Sequence, residues 1–354
     1  MAKKVKRIPD ELLTGLRNYW YPITRSRDVG DETPVALTRI GTKLAVWRDY
    51  KGQAHVFADR CAHRAAPLSM GRLHGDDRIE CRYHGLRYDG TGQCRLVPTE
   101  HEGEDGPVAQ ELRVQTYPAE EKGGIIWSYI GDPDRFPPPP LEIDPELTAA
   151  DYEGSVETYV WEGNWLLTWD NGTDPAHVPF LHAGNALLPP DVAVVDEIKA
   201  ERTEAGILVS RVGVSDDERW AGKTFDAVEF VLPSLGRLFV PLPDGGSPVR
   251  VLQYHVPVDE NSTMVIAYFG RKVGSDEERQ RWRQMYDGFI WPAVQEVFQQ
   301  DSDIVRAQGD IHEALETEHL ISSDAGAPLV RKYIREAYES QQRVLVGKRG
   351  DGSR

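Results

Sequence analysis

Two short segments of this 354-residue chain read Cys61-Ala-His63 and Cys81-Arg-Tyr-His84. Each segment carries one cysteine and one histidine, and 17 residues separate the first histidine from the second cysteine. Thiolates and imidazoles bind zinc and iron–sulphur clusters, whereas hard cations prefer oxygen ligands. These four side chains therefore predict a metal centre in the N-terminal part of the chain.

Two kinds of metal centre compete for these four ligands. Two cysteines and two histidines complete a zinc tetrahedron, but the close C-x-H spacing differs from the layout of the usual zinc modules. A Rieske [2Fe–2S] centre needs two thiolates on one iron and two imidazoles on the other. Each segment supplies one of each, which favours the Rieske centre and leaves zinc as the alternative. The third cysteine, Cys94, lies outside both segments and is expected to be a semi-buried thiol.

The residues around the two segments have the pattern of short β-strands. From about residue 20 to residue 130, apolar and β-branched runs lie between Gly, Asp and Pro turn residues, as in a small β-sandwich or barrel. The clearest of these runs are 35–38, 44–47, 54–57 and 125–130. A short helix is expected at 10–18. The proline run 137–140 fits neither a helix nor a central strand and marks the predicted domain boundary.

The second part of the chain mixes strand and helix patterns. Alternating apolar residues favour antiparallel strands near 205–214, 226–240, 248–257 and 263–271. Apolar residues at i, i+3 and i+4 predict a long helix over 276–308, with acidic residues in its first turn. A helix with an irregular end is expected over 161–182. The predicted fold class is α+β, with one domain at 1–140 and a second at 141–354.

A second set of candidate ligands follows the proline run and includes His177 and His182. Residues five positions apart point about 140° away from each other on an ideal helix. Pro179 lies between them and is expected to break the helix, so that both imidazoles can meet. Asp174 is close enough in sequence to hydrogen-bond His177. Two histidines and one carboxylate form the facial triad of non-heme iron oxygenases, and the carboxylate must come from elsewhere in the chain.

The first motif resembles the cluster-binding motif of Rieske proteins, and the following Gly85-Leu-Arg-Tyr-Asp-Gly-Thr-Gly resembles its form in Rieske non-heme iron oxygenases. Gln300-Asp-Ser-Asp-Ile-Val matches the Gln/Glu-Asp-x-x-Ile/Val element of that family. On this resemblance Asp301 is the third iron ligand, with Asp303 as the alternative. The resemblance extends from Trp20 to about residue 340. It implies a [2Fe–2S] cluster on Cys61, His63, Cys81 and His84, and a mononuclear Fe(II) on His177, His182 and Asp301.

The resemblance also implies an architecture. An N-terminal all-β Rieske domain is followed by a C-terminal helix-grip (START-like) domain, with an antiparallel sheet and helices. Three such α subunits form a head-to-tail ring, which is a closed heterologous assembly. In that ring Asp174 bridges His177 to the neighbour's cluster ligand, His84 or His63. The short catalytic domain most resembles the single-α branch, which includes monooxygenases and demethylases of the vanillate and phenoxybenzoate type.

The function implied is that of a terminal oxygenase. It uses O₂, and electrons relayed from the Rieske cluster through Asp174 to the mononuclear Fe(II), to hydroxylate or dealkylate a small aromatic or other cyclic substrate. The sequence has no G-x-G-x-x-G dinucleotide motif. We therefore expect a separate NAD(P)H-dependent flavin reductase, with or without a ferredoxin. A Rieske-type electron carrier without oxygenase activity and a zinc-stabilised binding module are the two alternative functions.

Composition excludes several other classes of protein. The net charge is −16, whereas nucleic acid and anionic membranes attract concentrated basic surfaces. No apolar run is long enough to span a bilayer, and residues 1–7 lack the apolar core of a secretory signal. With only three cysteines, a disulphide scaffold is not expected. The sequence thus predicts a cytoplasmic protein that binds neither nucleic acid nor membranes.

Overall fold

A computed structural model describes residues 8–100, 103–187, 197–212, 227–240, 242 and 246–347. The chain divides into two compact units. Arg17–Ile143 form the first unit, and Asp144–Arg354 form the second together with the residues before Arg17. No helix in the described part of the chain combines the length and the apolar character needed to cross a membrane.

The first unit consists of short antiparallel strands and one short helix, α1 (Pro107–Glu111). Its strands are β1 (Tyr19–Arg25), β2 (Val35–Arg39), β3 (Thr42–Arg48), β4 (Ala54–Ala58), β5 (Arg72–His74), β6 (Arg78–Glu80), β7 (Arg87–Asp89), β8 (Cys94–Leu96), β9 (Thr116–Tyr117), β10 (Ala119–Lys122) and β11 (Ile125–Ile130). The described strands pair in the orders β1-β11-β10, β2-β3-β4-β9 and β5-β6-β7-β8. The N-terminal β class that the sequence predicted is confirmed.

The core of the first unit surrounds the two cysteine segments. Cys61 and Cys81 are buried in one apolar cluster with Trp47, Phe57 and Tyr88. The sheet of β5 to β8 contributes to this cluster; Cys81 directly follows β6, and Cys61 lies three residues after the end of β4. The third cysteine, expected to be semi-buried, is 1% exposed and packs in the same cluster. Packing against this cluster fixes the two cysteine side chains.

The second unit is built on a seven-stranded antiparallel sheet. Its strands are β12 (Tyr152–Trp161), β13 (Glu197–Arg202), β14 (Ile207–Val212), β15 (Ala227–Val231), β16 (Leu235–Val240), β17 (Val249–Pro257) and β18 (Thr263–Lys272), paired in the order β12-β18-β17-β16-β15-β14-β13. Its helices are α2 (Trp165–Gly172), α3 (Val178–Leu181), α4 (Asp276–Met285), α5 (Trp291–Ala307), α6 (Ile311–Thr317) and α7 (Gly326–Gly347). The predicted α+β fold class, with its C-terminal sheet and helices, is confirmed.

The long helix predicted over 276–308 is present, with one irregular turn. Ser275 caps α4 by accepting a hydrogen bond from the N–H of Glu278, and three acidic residues occupy the first turn. A π-helical turn at Tyr286–Ile290 then connects α4 to α5. Pro292 lies in the first turn of α5 and has no N–H to donate to the preceding turn. The missing donor explains why the α-helical hydrogen-bond pattern changes just before it.

Three sequence predictions of local structure are wrong. The helix expected at 10–18 is a single 3₁₀ turn, Asp10–Leu12. The single helix expected over 161–182 is instead the end of a strand followed by α2 and α3. Pro179 does not break a helix but lies in the first turn of α3, where proline is favoured because the N–H there has no helical partner. The chain leaves the helix earlier, between Gly172 and Val178.

Candidate metal centres

Each of the two cysteines begins a loop that is closed by backbone hydrogen bonds. The N–H of Cys61 donates to the carbonyl of Ala66 over 2.8 Å, and the N–H of Cys81 donates to that of Leu86 over 2.8 Å. In both loops the residue four positions after the cysteine donates back to the cysteine carbonyl, over 3.0 and 2.9 Å respectively. The two loops therefore share one backbone design, although one carries C-x-H and the other C-x-x-H.

The loops bury their thiols and leave their imidazoles accessible. Cys61 is 3% exposed and Cys81 is 1% exposed. His63 is exposed and His84 half-buried, and the centroids of their rings lie 4.8 Å apart. The four side chains thus form a buried sulphur end and an accessible nitrogen end, the division that a Rieske cluster requires of its two irons.

The sulphur end is a shared-proton pair. The hydrogen bond with Cys81 lowers the pKa of the Cys61 thiol to about 5, although burial acts in the opposite direction. The same contact raises the pKa of Cys81. The Tyr88 hydroxyl lies 3.1 Å from Cys61 Sγ and donates to it once the sulphur is ionised. Thiolates are the metal-binding form of cysteine, so Cys61 is favoured as a thiolate, whereas Cys81 must lose its proton when metal binds.

The loop geometry fits a two-iron cluster better than one zinc ion. Zinc with ligand distances of about 2.0–2.3 Å holds its four ligand atoms within about 4 Å of one another. Among the residues that the structure describes, only one set of three His, Cys, Asp or Glu residues brings its ligand atoms within 4.8 Å, and that set lies outside the two loops. A group that spans two metal ions can bind ligands that do not converge on one point.

The convergent set is His177, His182 and Asp301. Asp301 Oδ1 lies 3.5 Å from Nε2 of His177 and 3.2 Å from Nε2 of His182. His177 is in the turn before α3, His182 ends α3, and Asp301 belongs to α5. His182 is 2% exposed and Asp301 is 5% exposed, so the site lies inside the second unit.

Hydrogen bonds decide which ring nitrogen of each histidine faces the site. Nδ1 of His182 donates to Oε1 of Gln300 over 2.8 Å, and Nδ1 of His177 donates to the backbone carbonyl of Asp174. Nε2 is therefore the nitrogen of each ring that faces Asp301, and it can bind a metal once it is deprotonated, as in metal-binding histidines. Asn171 donates to Asp301 Oδ1 over 3.1 Å and orients the carboxylate.

The charges of the three groups balance one another without a metal ion. Burial lowers the pKa of His177, but the carboxylates of Asp174 and Asp301 outweigh burial and raise it to about 9. Burial raises the pKa of Asp301, but hydrogen bonds from His177 and His182 outweigh burial and lower it to about 2. A divalent cation that binds these groups must displace the proton that His177 holds beside Asp301. The donor set of two imidazoles and one carboxylate suits Fe(II).

Comparison with known proteins identifies two domain families in the chain. Residues 19–118 match the Rieske [2Fe-2S] domain family, and residues 161–340 match the vanillate O-demethylase oxygenase C-terminal domain family. The second match alone covers more than half of the chain. The chain belongs to the Rieske non-heme iron oxygenases. Its cofactors are a Rieske [2Fe–2S] cluster and a mononuclear iron.

Individual oxygenases are similar over most of the chain. The α subunit of phenoxybenzoate dioxygenase from Ectopseudomonas oleovorans is 27% identical, over 95% of this chain and 82% of its own length. The terminal oxygenase component of carbazole 1,9a-dioxygenase from Metapseudomonas resinovorans is 28% identical, over 81% of this chain and 80% of its own. A solved complex of a carbazole 1,9a-dioxygenase oxygenase with its ferredoxin has a TM-score of 0.73 at 26% identity, over 92% of this chain and 90% of the other.

The structure also places two other acidic residues that the sequence analysis named, Asp303 and Asp174. Asp303, the alternative to Asp301, is exposed and accepts a hydrogen bond from Arg306 over 2.8 Å, and it is not in the convergent set. Asp174 has one carboxylate oxygen 2.8 Å from the N–H of Ala176, as in a turn cap. Its other oxygen lies 3.7 Å from Nδ1 of His177. The Asp174 side chain as a whole is 28% exposed.

Sequence reasoning missed two contributors to the candidate iron site, Asn171 and Gln300. Gln300 lies within the quoted Gln300-Asp-Ser-Asp-Ile-Val element, but neither residue received a role, because a single sequence does not show which side chains meet. A third feature is a buried ion pair: Arg331 of α7 donates to Asp170 Oδ1 of α2 over 2.8 Å and to Glu318 Oε1 over 2.7 Å. Burial raises the pKa of Asp170 to about 6. This pair ties α2, and with it the amide of Asn171, to α7.

Proposed function

We propose that this chain is the terminal oxygenase component of a Rieske system, which uses O₂ to hydroxylate or dealkylate a small aromatic or other cyclic substrate. The observation that carries the proposal is the set of His177, His182 and Asp301 beside a largely apolar cavity of about 160 Å³. An electron carrier requires neither an open metal site nor such a cavity. Both features belong to an enzyme that binds an organic molecule next to a metal.

Each predicted ligand has a role in this proposal. Cys61, His63, Cys81 and His84 would hold the [2Fe–2S] cluster, and His177, His182 and Asp301 would hold the mononuclear iron. When bound, the cluster supplies single electrons and the iron supplies a site for O₂. We assign the cluster to residues 1–140 and the mononuclear iron to residues 141–354.

The chain's own residues hold the ligands and the substrate. Gln300 and the backbone carbonyl of Asp174 each hold the proton on Nδ1 of one histidine, so that Nε2 keeps the lone pair that binds metal. Asn171 holds Asp301 in one orientation. The cavity walls include Trp161, Phe269 and Phe298, and they exclude water from the side of the site where a substrate would lie.

We propose that Asp174 bridges the two centres of neighbouring copies in a head-to-tail ring of three. The partly exposed carboxylate of Asp174, the exposed imidazole of His63 and the half-buried imidazole of His84 suit a hydrogen bond between copies. Electrons would come from a separate NAD(P)H-dependent flavin reductase, with or without a ferredoxin. The solved carbazole 1,9a-dioxygenase complex contains a ferredoxin, which supports a protein electron donor here.

The experiment that tests this function measures incorporation of labelled oxygen. Purified protein loaded with iron and sulphide is incubated with a flavin reductase, NADH, ¹⁸O₂ and a panel that includes phenoxybenzoate and carbazole. We expect ¹⁸O in a hydroxylated product or, on dealkylation, in the released aldehyde, trapped at once before its oxygen exchanges with water, and no product with His177→Ala. Oxidation of NADH without any labelled product from the panel, together with cluster spectra unchanged by substrates, would instead indicate an electron carrier.

A further inference from the structure

One neutral polar side chain interrupts the apolar wall of the cavity that faces the proposed iron site. The wall formed by β15, β16 and β17 presents residues such as Val228, Leu238 and Val251. Gln253, also on β17, lines the same cavity. The structure gives its amide one contact, Oε1 at 3.4 Å from Nε2 of His255, so the other end of the amide has no partner among the described residues. His255 is two positions along the strand and lies on the same face.

The Thr168 hydroxyl, which contacts the other ring nitrogen of His255, determines which group donates in the contact between His255 and Gln253. Thr168 Oγ1 lies 2.8 Å from the carbonyl oxygen of Trp165 and 3.0 Å from Nδ1 of His255. A hydroxyl has one proton, and two oxygens 2.8 Å apart in a buried place need that proton between them. Thr168 therefore donates to the carbonyl of Trp165. It must then accept from Nδ1 of His255, which carries the proton of a neutral imidazole.

The imidazole of His255 is neutral because it is enclosed. It is 0% exposed and stacks on Trp169 with the ring centroids 4.4 Å apart. Burial lowers its pKa to about 3. With the single proton on Nδ1, Nε2 is an acceptor. Its neighbour must be a donor, so the end of the Gln253 amide nearest to Nε2 is the NH₂ group, since the two ends of an amide are distinguished only by such networks.

The carbonyl oxygen of Gln253 is then the end that is turned to the cavity. We infer that Gln253 is a specificity-determining residue: its carbonyl, oriented by His255 and Thr168, accepts a hydrogen bond from an uncharged ring compound with an N–H or O–H group. This inference rests on the proposed function, because it identifies the cavity as the substrate site. Thr168 and His255 are positioning residues, since they act only through Gln253.

The charge of the cavity also favours an uncharged ligand. No lysine or arginine lines it within the described ranges, whereas the carboxylates of Asp174 and Asp301 do. Apart from the metal proposed on His177, His182 and Asp301, the described lining offers a carboxylate ligand no cation and places its charge near a carbonyl oxygen and Asp174, which is costly in an apolar site. The cavity is thus suited to a neutral molecule of one or two rings.

The test compares two ligands of the same shape, indole and benzofuran. Indole has an N–H donor where benzofuran has only an acceptor oxygen. Their dissociation constants are measured by calorimetry on the metal-loaded protein under argon, where no turnover occurs. We expect indole to bind about three- to tenfold more tightly than benzofuran, the range of one net hydrogen bond. Benzoate, the third probe, should bind at least about tenfold more weakly than indole.

Variants distinguish the role of the Gln253 amide from the roles of the residues that orient it. Gln253→Leu should bring the indole-to-benzofuran ratio to about one, because it removes the acceptor and keeps the size. Thr168→Val should bring the ratio to one or below, because Nδ1 then has no acceptor and the proton moves to Nε2. Nε2 then donates to the amide oxygen and turns the NH₂ to the cavity. Thr168→Ser keeps the hydroxyl and should restore the preference. Val251→Ala, a control on the same wall, should weaken both ligands by a similar factor.

Several outcomes would overturn the inference. They are a wild-type ratio near one, a preference that survives Gln253→Leu, tight binding of benzoate, or no binding of either bicyclic probe. Failure of the proposed function would look different. In that case the donor preference and its loss in Gln253→Leu would be observed at equilibrium, but no substrate would acquire oxygen in the ¹⁸O₂ experiment. Conversely, oxygenation without a donor preference would overturn the inference alone.

Discussion

The two candidate metal centres hold their ligands in different ways. In the cysteine loops, backbone hydrogen bonds fix the turn, and packing buries the sulphurs. At the second site, side chains from three helical segments converge, and the ligands are oriented by further side chains such as Gln300 and Asn171. The first design depends on short stretches of sequence, whereas the second depends on residues more than 100 positions apart. We therefore expect substitutions around the two centres to act differently.

The largest effect is expected from Cys81→Ser. The serine oxygen is a poor substitute for a thiolate in a [2Fe–2S] cluster, so the protein should lose its visible colour and all turnover. The mononuclear iron should remain, because its ligands are on other elements. Absorption spectra and iron analysis check this, and a variant that kept the full Rieske EPR signal would remove Cys81 from the ligand set.

The reciprocal change is His177→Ala. It removes one of three protein ligands, so one iron per chain should be lost while the two irons and the spectrum of the cluster persist. Iron content and EPR are measured on the same preparation. Unchanged iron content would show that the ligand set is wrong. If Asp303→Ala abolished iron binding and Asp301→Ala did not, only the choice between these two acids would be wrong.

Asp174→Asn tests the link between the centres. Asparagine keeps the oxygen that accepts from the N–H of Ala176, so folding and both metal sites should survive. It loses the negative charge, and we expect electron transfer to the mononuclear site to slow by about 10- to 100-fold. The readout is the rate at which the pre-reduced cluster is oxidised when O₂ and substrate are added. Near-normal rates would show that Asp174 is only a turn cap.

A smaller effect is expected from Gln300→Leu. Without the amide oxygen, Nδ1 of His182 loses its acceptor, and affinity for the mononuclear iron should fall by about 10- to 100-fold. The change should not affect the cluster. Gln299→Leu is the matched control, because the Gln299 side chain contacts Tyr159 and Asp303 instead. Equal iron affinity in both variants would show that the contact with Gln300 does not support metal binding.

The smallest effect is expected on stability, from one substitution in each of the two cysteine loops. The fourth residue after the cysteine has a positive φ in both, 59° at Ala65 and 73° at Gly85. A Cβ at Gly85 would lie 3.1 Å from Pro98 Cγ, so Gly85→Ala should destabilise the protein by about 1–2 kcal/mol. Ala65→Gly relieves the same backbone strain and should be close to neutral. Thermal unfolding of the metal-loaded variants measures both, and equal losses would contradict the shared design.

The sequence was most informative where the structure is local. Strand β11 was predicted at 125–130 and is found at Ile125–Ile130, because five of these six positions are apolar or aromatic and turn residues flank them. The cysteine motifs were recognised for the same reason, since each is a short continuous segment. The class of the first unit followed from such runs without knowledge of the pairing of its strands.

Contacts between distant segments were not predictable in this way. The two histidines meet because the chain turns before α3, and Pro179 was wrongly expected to be the cause. The third ligand needed a family resemblance, because Asp301 lies more than 100 residues away on α5. The contact between Thr168 and His255 spans 87 positions and depends on which face of β17 is turned to α2. Neither propensity nor spacing contains that information.

The central claim is that one chain holds an imidazole-ligated [2Fe–2S] cluster and a separate mononuclear iron on His177, His182 and Asp301. The most direct test is EPR of dithionite-reduced protein exposed to nitric oxide, which reports both centres in one sample. We predict the signal of a reduced Rieske cluster together with a high-spin iron–nitrosyl signal, and loss of only the second in His177→Ala. A colourless protein with stoichiometric zinc, or a nitrosyl signal that survives His177→Ala, would contradict the claim.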